Sequence, residues 1–129
     1  MIASYPTAGE EPMLITSTPT IMGYRITHVF GVVFGVVVRS RGLGGNIMAG
    51  LRSIGGGEIH EYTQLLEETR TQAIGRMADR ATQLGANAIV SMRFDSSAIG
   101  DIMSEIVAFG TAVVVVADEA NVPPPPGQD

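Results

Sequence analysis

The sequence predicts an α+β fold: a small sheet of mostly antiparallel strands, packed by one long helix and one short helix. Two segments, residues 24–39 and 103–116, are rich in valine and long enough to form extended strands. Between them, residues 61–84 carry apolar side chains at the spacing of an amphipathic helix. The last strand contains an unbroken run, Val113 to Val116. Because a strand with one wet face alternates apolar and polar residues, this run predicts a sheet covered on both faces.

Composition excludes several classes of function. A chain of 129 residues is expected to form one domain. Its net charge of -5 gives no basic surface for nucleic acid, so we expect no nucleic-acid partner. All eight cationic residues are arginine, which excludes Schiff-base chemistry on lysine. The absence of cysteine excludes disulfides, thiolate nucleophiles and cysteine-rich zinc sites.

The ends of the chain are predicted to be tails around one domain. Residues 1–12 and 118–129 hold few apolar residues and several prolines, so neither can offset its ordering entropy by burial. We therefore expect a flexible tail over 1–12, an α+β domain over 13–117 and a disordered proline-rich tail over 118–129. No secretory signal is recognisable, so a cytoplasmic protein is expected. The longest apolar runs are well short of the roughly 20 residues of a membrane-spanning helix, so we expect no membrane span.

The strand over 24–39 is expected to follow a short strand at Leu14 to Thr16. Regular alternation would place one row of its side chains on one face (Ile26, His28, Phe30, Val32, Phe34, Val36 and Val38) and Val29, Val33 and Val37 on the other. Gly31 and Gly35 interrupt the second row. At these glycines either another element approaches the backbone or the strand bulges.

Two helices are predicted next. Asn46 is a suitable N-cap and Gly55 a suitable C-terminal stop for a two-turn helix over 46–54. The long helix, Glu61 to Leu84, contains Gly75, which costs about 1 kcal/mol relative to alanine and indicates either close packing or simple tolerance. After it, Ala88, Val90, Met92 and Phe94 are expected on one face of a strand, and Ile89, Ser91, Arg93 and Asp95 on the other. The expected order is β-α-α-β-β.

Two apolar sheet faces predict self-association. The last strand has Ile106, Ala108, Ala112, Val114 and Val116 on one side and Val107, Phe109, Val113 and Val115 on the other, with no charge in either row. One helix covers about two strands of one face, and a three-stranded sheet exposes on the order of 450 Å² on the other. The economical cover is another subunit. The alternative is a monomer in which the short helix and the N-terminal segment cover that face.

No motif supports catalysis. The glycine-rich segment "RGLGGNIMAG" fails the dinucleotide pattern at Ile47, and a P-loop needs a lysine. We expect Asp95, Asp101 and Glu105 to lie in or around a polar hairpin loop without a basic or nucleophilic partner. The serines lack the sequence context of a nucleophile elbow. We therefore predict no catalytic residues and no cofactor.

The two histidines are the candidates for ligand binding. His28 lies in an apolar row and is interpreted as a core or interface residue. His60 is close to Glu58 and Glu61 at the start of the long helix, and Gln64 and Glu68 follow at helical spacing. These side chains can form a metal site if neighbouring subunits bring copies together, or the acids can simply complement the helix dipole. The second interpretation is preferred, so no metal site is predicted.

Four segments occur in an order and spacing that together carry a family resemblance: "ITSTPTIMGYRI", "GVVFG", "EYTQLLEETRTQAIGRMADRATQLGANAIVSMRFD" and "GTAVVV". Over residues 14–116 the chain resembles the YbjQ-like family of small uncharacterised prokaryotic proteins, often labelled heavy-metal-binding. The resemblance implies a ring-forming α+β subunit, a pentamer or a pair of such rings, and no established reaction. This chain departs from the family at Val36, where glutamate is frequent, and at Glu58, where arginine is frequent. Without cysteine, thiolate coordination of a heavy metal is excluded.

The sequence therefore predicts a non-enzymatic, homo-oligomeric assembly or binding protein whose process is unknown. The alternative is a carrier of a metal ion or small cofactor at subunit junctions, using His60 with nearby carboxylates or the glycine-rich turns. A third, less favoured interpretation is an enzyme whose site is completed between subunits.

Overall fold

The computed structural model describes residues 2–5, 12–40, 60–99, 103–122 and 126–127. They form a five-stranded mixed sheet with one long helix on one face. The strands are β1 (Ile2–Tyr5), β2 (Met13–Thr16), β3 (Tyr24–Ser40), β4 (Ala88–Ile99) and β5 (Met103–Ala117), and the helix is α1 (His60–Leu84). The order across the sheet is β1-β2-β4-β5-β3. This confirms the α+β class.

Three of the four strand pairings are antiparallel. β5 lies in the middle of the long half of the sheet and pairs with β3 on one side and β4 on the other. The short strand β2 runs parallel to β4 and pairs with it only at Ala88 and Ile89. Beyond those two residues the sheet therefore narrows to three strands, β4-β5-β3. We call this narrow part the distal half and the part around β2 the proximal half.

Helix α1 packs across β3 and β5. The closest approach is at Gly35 of β3, where an added Cβ would overlap the carbonyl oxygen of Ala73 and the amide nitrogen of Met77. The helix turns its small residues toward the sheet, and Ala73, Ala78 and Ala81 are buried. Small side chains on the helix and glycine on the strand bring the two backbones into direct contact. This confirms that another element approaches the strand at Gly35.

The core on the helix side is made by residues of the helix and of the sheet beneath it. Ala108 and Ala112 of β5 are fully buried beneath the helix. Around them lie the other members of this cluster: Met13, Ile15, Val33, Val37, Ile74, Met77, Ala86 and Ile89. The β5 row that contains Ile106, Ala108 and Ala112 therefore faces the helix.

A loop covers the proximal half of the opposite face. Ile21 is only 1% exposed and packs with Ala88, Val90, Val113 and Val115. Backbone hydrogen bonds hold this loop in place, from Gly23 to Asn121 and from Asp118 to Gly23. Residues before β3 thus cover part of the second face, as one of the two alternatives expected.

Two bulges in β3 change which face of the sheet some of its residues occupy, so the predicted faces are wrong there. The register with β5 shifts between Ile26 and His28 and again between Val29 and Gly31. Directly paired residues share a face, so His28, opposite Val114, lies on the helix side, and Val29, opposite Val113, lies on the opposite side. Regular alternation had placed both residues the other way. Gly31 has φ +120, so glycine there permits a backbone that other residues rarely adopt.

A third bulge, in β4, reverses the faces of the residues that follow it, so the predicted faces of this strand are wrong there. The register with β5 shifts between Val90 and Arg93, and Ser91 has φ 54. Before the bulge, Ala88 and Val90 lie on the face away from the helix, as part of the cluster around Ile21. After it, Phe94 pairs with Ala108 and so faces the helix, whereas Arg93 and Asp95 face away from it.

Short elements lie within the two segments that are expected to be tails. Ile2–Tyr5 forms β1 and pairs antiparallel with β2, so its backbone is ordered by ladder hydrogen bonds rather than by burial. Glu119–Asn121 forms a 3-10 helix capped by the side chain of Asp118. Asn121 also donates a hydrogen bond from its side chain to the carbonyl of Tyr24. Backbone pairing at residues 2–5 and side-chain contacts at 118–121 hold these described residues in place.

Several predicted features lie outside the described residues. They are the short helix over 46–54, the glycine-rich segment, Asp101 and the prolines at 123–125.

Alanine substitution of Gly35, which lies beneath the helix, and of Gly75, which lies within it, is expected to have opposite effects on stability. Gly35→Ala should destabilise the protein by about 2 kcal/mol or more, because its Cβ meets helix backbone. Gly75→Ala should stabilise it by about 0.5–1 kcal/mol, since an added Cβ meets nothing within 4 Å and alanine favours the helix. Urea unfolding of the two variants measures both changes. Equal destabilisation by the two substitutions would contradict the helix packing described here.

Candidate functional site

An apolar patch lies on the distal half of the sheet, on the face opposite the helix. The open patch, as we name it, consists of six side chains: Val32, Phe34, Val36, Val38, Val107 and Phe109. Val32 is 60% exposed, Phe34 45% and Val38 48%, and the other three are half-buried. The loop carrying Ile21 covers only the proximal half, so no described residue covers this patch.

The open patch is built by paired positions of β3 and β5. Phe34 lies opposite Phe109, with the ring centroids 6.3 Å apart, and Val36 lies opposite Val107. Because opposite residues of an antiparallel pair share a face, the rows reinforce one another. The patch is a shallow depression that is also lined by Asp95 of β4 and by Glu105 of β5, which lies opposite Val38. It is therefore apolar along β3, with its charged side chains on β4 and at the distal end of β5.

Arg93 is the cation at the charged side of the patch. It is opposite Phe109, and one of its guanidinium nitrogens donates to the carbonyls of Ser17 and Met92, both at 2.8 Å. Ser91 donates its N–H to the carbonyl of Thr18 at 2.9 Å. These bonds tie the covering loop to the bulge in β4. The bulge thus determines which side chains reach the open patch.

A groove lies beside the helix, at the outer side of β4. Its volume is about 510 Å³, and it exists because α1 packs over β3 and β5 rather than over the distal part of β4. The Arg70 guanidinium carbon is 5.5 Å from the centroid of the Phe94 ring. Other lining residues are Leu66, Asp95, Ser96, Ser97, Ala98, Ser104, Glu105 and Ile106. The groove combines one cation, two carboxylates, an aromatic ring and several hydroxyl groups.

Two of the predicted carboxylates, Asp95 and Glu105, lie in strands rather than in a hairpin loop. Asp95 is inside β4 and accepts a hydrogen bond at 2.9 Å from the N–H of Ser96, and Glu105 is inside β5, 3.3 Å from the hydroxyl of Ser97. Their predicted position is corrected because both strands extend into the segment that was interpreted as a connection: β4 continues to Ile99, and β5 begins at Met103. The two acids line the depression of the open patch.

The histidines are separated in the fold. His28 is exposed and makes an edge-to-face contact with Phe30, with 4.5 Å between the ring centroids, so the core interpretation is wrong. His60 begins α1, and its side chain lies outside the described residues. Further along the helix, Gln64 donates to Glu68 at 3.3 Å. Among the described residues, no three His, Asp or Glu side chains are grouped so that they could hold a metal ion.

Sequence reasoning missed Arg70, Phe94 and Arg93 as surface features of interest. The bulge at Ser91 places the last two on their faces, and no local signal in the sequence marks it.

Within the part of the chain that the structure describes, no helix is both long and apolar enough to cross a membrane.

Fold and surface together define a small α+β protein with one helix-covered sheet face and one partly open face. The family model described as "Putative heavy-metal-binding", YbjQ, matches residues 13–116. The chain belongs to this YbjQ-like family, as the resemblance in its sequence predicted.

Related proteins carry names without an activity. A UPF0145 protein of Bradyrhizobium sp. (strain ORS 278) is 60% identical over 106 residues, which cover 82% of this chain and 96% of that protein. A UPF0145 protein of Methanocella arvoryzae is 56% identical over 110 residues, covering 85% of this chain and 92% of the relative. A crystal structure of a protein of unknown function from Pediococcus pentosaceus has a TM-score of 0.47 and 15% identity, and the match covers 82% of this chain and 98% of that one.

Relief of the backbone conformation at Ser91 is expected to stabilise the fold. Ser91→Gly should raise the free energy of unfolding by about 0.5–1 kcal/mol, because glycine adopts a positive φ without steric cost. Ser91→Ala serves as the control for loss of the hydroxyl group alone and should not stabilise. Thermal unfolding measures both variants. A less stable glycine variant would mean that the bulge is not strained.

Proposed function

We propose that this protein is a homo-oligomeric assembly or binding protein without catalytic activity, and that it associates through the open patch. The observation that carries the proposal is the exposure of Val32, Phe34 and Val38 on a sheet face that no described residue covers. Contiguous exposed apolar patches on soluble proteins usually mark interaction sites. A second copy of the chain is the simplest partner, since it is always available.

The open patch can supply useful binding energy. Full burial of a valine or phenylalanine side chain contributes about 1.5–3 kcal/mol, and the six residues of the patch are already partly buried. Association must offset an estimated 4–15 kcal/mol for lost freedom of motion. Six half-buried side chains on each copy are of the right order to do so. The charged side, with Arg93 and Asp95, then supplies orientation rather than affinity.

A closed ring is the proposed form of the assembly. The patch is apolar toward β3 and charged toward β4, and such an asymmetric surface suits a head-to-tail contact, which closes into a ring when the rotation permits. The resemblance of the sequence implies a pentamer or a pair of such rings, and we adopt a pentameric ring as the expected state. The absence of catalysis in this proposal rests on the sequence, which holds neither cysteine nor lysine and has no nucleophile-elbow or P-loop motif.

A charge placed in the open patch should dissociate the assembly. Phe34→Glu is expected to raise the dissociation constant at least about a hundredfold, because burying an unpaired carboxylate costs several kcal/mol. Leu84→Glu is the matched control: Leu84 is 50% exposed at the last residue of the helix, away from the patch. Native mass spectrometry at micromolar concentration reports subunit number for both. A monomeric parent protein would refute the proposal.

A second candidate function, carriage of a small molecule, is favoured by the groove beside Arg70. A guanidinium near an aromatic ring, with hydroxyl groups and two carboxylates around it, suits a small polar ligand with a planar part. The metal form of this alternative depends on His60, and the described residues add no ligand set to it.

The carrier function has its own test. The native mass spectrum of the protein purified from its expression host is expected to show a retained small-molecule mass in the parent and to lack it in Arg70→Met, which keeps the length of the side chain and removes its charge. Arg80→Met is the control for loss of an exposed helix arginine. Spectra without an added mass would leave the assembly proposal intact and remove the carrier.

A further inference from the structure

Among the described residues, the distal half of the sheet has an unpaired edge on each side. β3 is the last of the described strands, and within them it pairs only with β5. At the opposite edge, β4 pairs with β2 only at Ala88 and Ile89. Among the described residues, the distal part of β4 therefore has β5 on its inner side and no strand on its outer side. Unpaired strand edges readily accept another strand, and proteins usually cover, shorten or charge them. β3 is 17 residues long, and its segment Val32 to Val38 contains neither proline nor charge.

The backbone groups that point outward from each edge can be identified. The carbonyl of Val36 accepts a hydrogen bond from Arg76 of the helix, so it points away from β5. Peptide groups alternate along a strand, so the N–H and C=O groups of Phe34 and Val38 also point outward. No described residue outside β3 bonds to them. Because the proximal part of β3 is interrupted by two bulges, its regular distal part is the part suited to pairing.

The same alternation identifies the outward groups of β4. Val36 is opposite Val107, which is opposite Asp95, so Asp95 directs its backbone groups toward β5 and Ser96 directs its groups outward. The hydrogen bond from the Ser96 N–H to the Asp95 carboxylate agrees with this assignment. The outward groups of Phe94 and Ala98 follow from the same rule. Each edge therefore offers a short row of alternating donors and acceptors.

We propose that the β3 edge of one copy pairs with the distal β4 edge of the next copy, so that the sheet continues from subunit to subunit. The proposal rests on the assembly function above and adds a backbone contact at the edges beside the open patch. It satisfies both free edges at once, whereas pairing of β3 with β3 of a second copy leaves every β4 edge open. A neighbouring strand replaces Arg76 on the Val36 carbonyl and Asp95 on the Ser96 N–H.

The direction of pairing follows from the topology. β3 and β4 are both antiparallel to β5 and so run parallel to each other. If neighbouring copies keep their helices on the same side of the continued sheet, β3 pairs in parallel with β4 of the next copy. The contact is head-to-tail, so it forms a ring if the rotation closes. The alternative contact between two β3 strands would be antiparallel and would stop at a dimer.

The natural absence of cysteine makes this contact testable by cross-linking. Val38→Cys on β3 is combined, in three double variants, with Arg93→Cys, Ser97→Cys or Ile99→Cys on β4, because the register between copies is unknown. Val38 and Ser97 lie on either side of Glu105, about 9–10 Å apart across two strand spacings, beyond the roughly 7 Å reach of a disulfide within one chain. Mild oxidation of at least one double variant is expected to give a ladder of covalent species larger than a dimer.

The controls separate the outcomes. Val38→Cys with Leu84→Cys, which is far from both edges, should give no ladder. Efficient dimer formation by Val38→Cys alone would overturn the proposal in favour of paired β3 strands. An assembled protein in which none of the three double variants cross-links would overturn the edge contact and leave the assembly function standing. A parent protein that is monomeric in native mass spectra would overturn both.

A second pair of variants tests the backbone contact directly. Val38→Pro removes one outward N–H from β3 without removing a hydrogen bond to β5, whereas Val38→Ala shortens the side chain and keeps the N–H. The proline variant is expected to raise the dissociation constant of the assembly roughly tenfold relative to the alanine variant, through one lost hydrogen bond and one acceptor left unpaired. Circular dichroism confirms that both variants are folded. Equal dissociation constants in folded variants would overturn the edge contact.

Discussion

The structure depends on a single constraint: one helix can cover only one face of the sheet. Helix α1 achieves very close contact on that face because β3 has glycine at position 35 and the helix presents alanines to it. Such contact excludes water from the core with few large side chains. It also fixes the helix over β3 and β5, so the distal part of β4 and the whole opposite face must be covered in some other way.

The chain covers the proximal half of the second face with its own residues. The loop with Ile21 covers the proximal half of the second face, and hydrogen bonds to the β4 bulge and to the 3-10 helix hold it there. No described residue does the same for the distal half. The open patch and the two free edges occupy this same half of the sheet. An association of copies at these edges would pair both of them and place the open patches of neighbouring copies side by side, which is why an assembly function accounts for several features at once.

The charged groups of the distal half refine this interpretation. Arg76 and Asp95 each bind one outward backbone group of an edge strand, so neither edge is entirely without a polar partner in the single chain. Such side-chain contacts reduce indiscriminate strand addition and leave the remaining groups available to a well-matched neighbour. The groove beside Arg70 borders the distal β4 edge, since both include Ser96 and Ala98. A molecule bound there would be close to the proposed contact.

The sequence alone determined the class of the fold, the extent of the long helix and the two apolar rows of β5. These depend on periodicity, a local property that survives in almost any packing. It also excluded lysine and cysteine chemistry, which needs only a count of residues. The tertiary structure alone decided which half of the second face stays open and which side chains border it. The reason is that bulges arise from long-range contacts: Gly110 of β5, where a Cβ would lie 2.6 Å from the Ile89 side chain, makes room for the bulge that turns Arg93 and Asp95 to the open face.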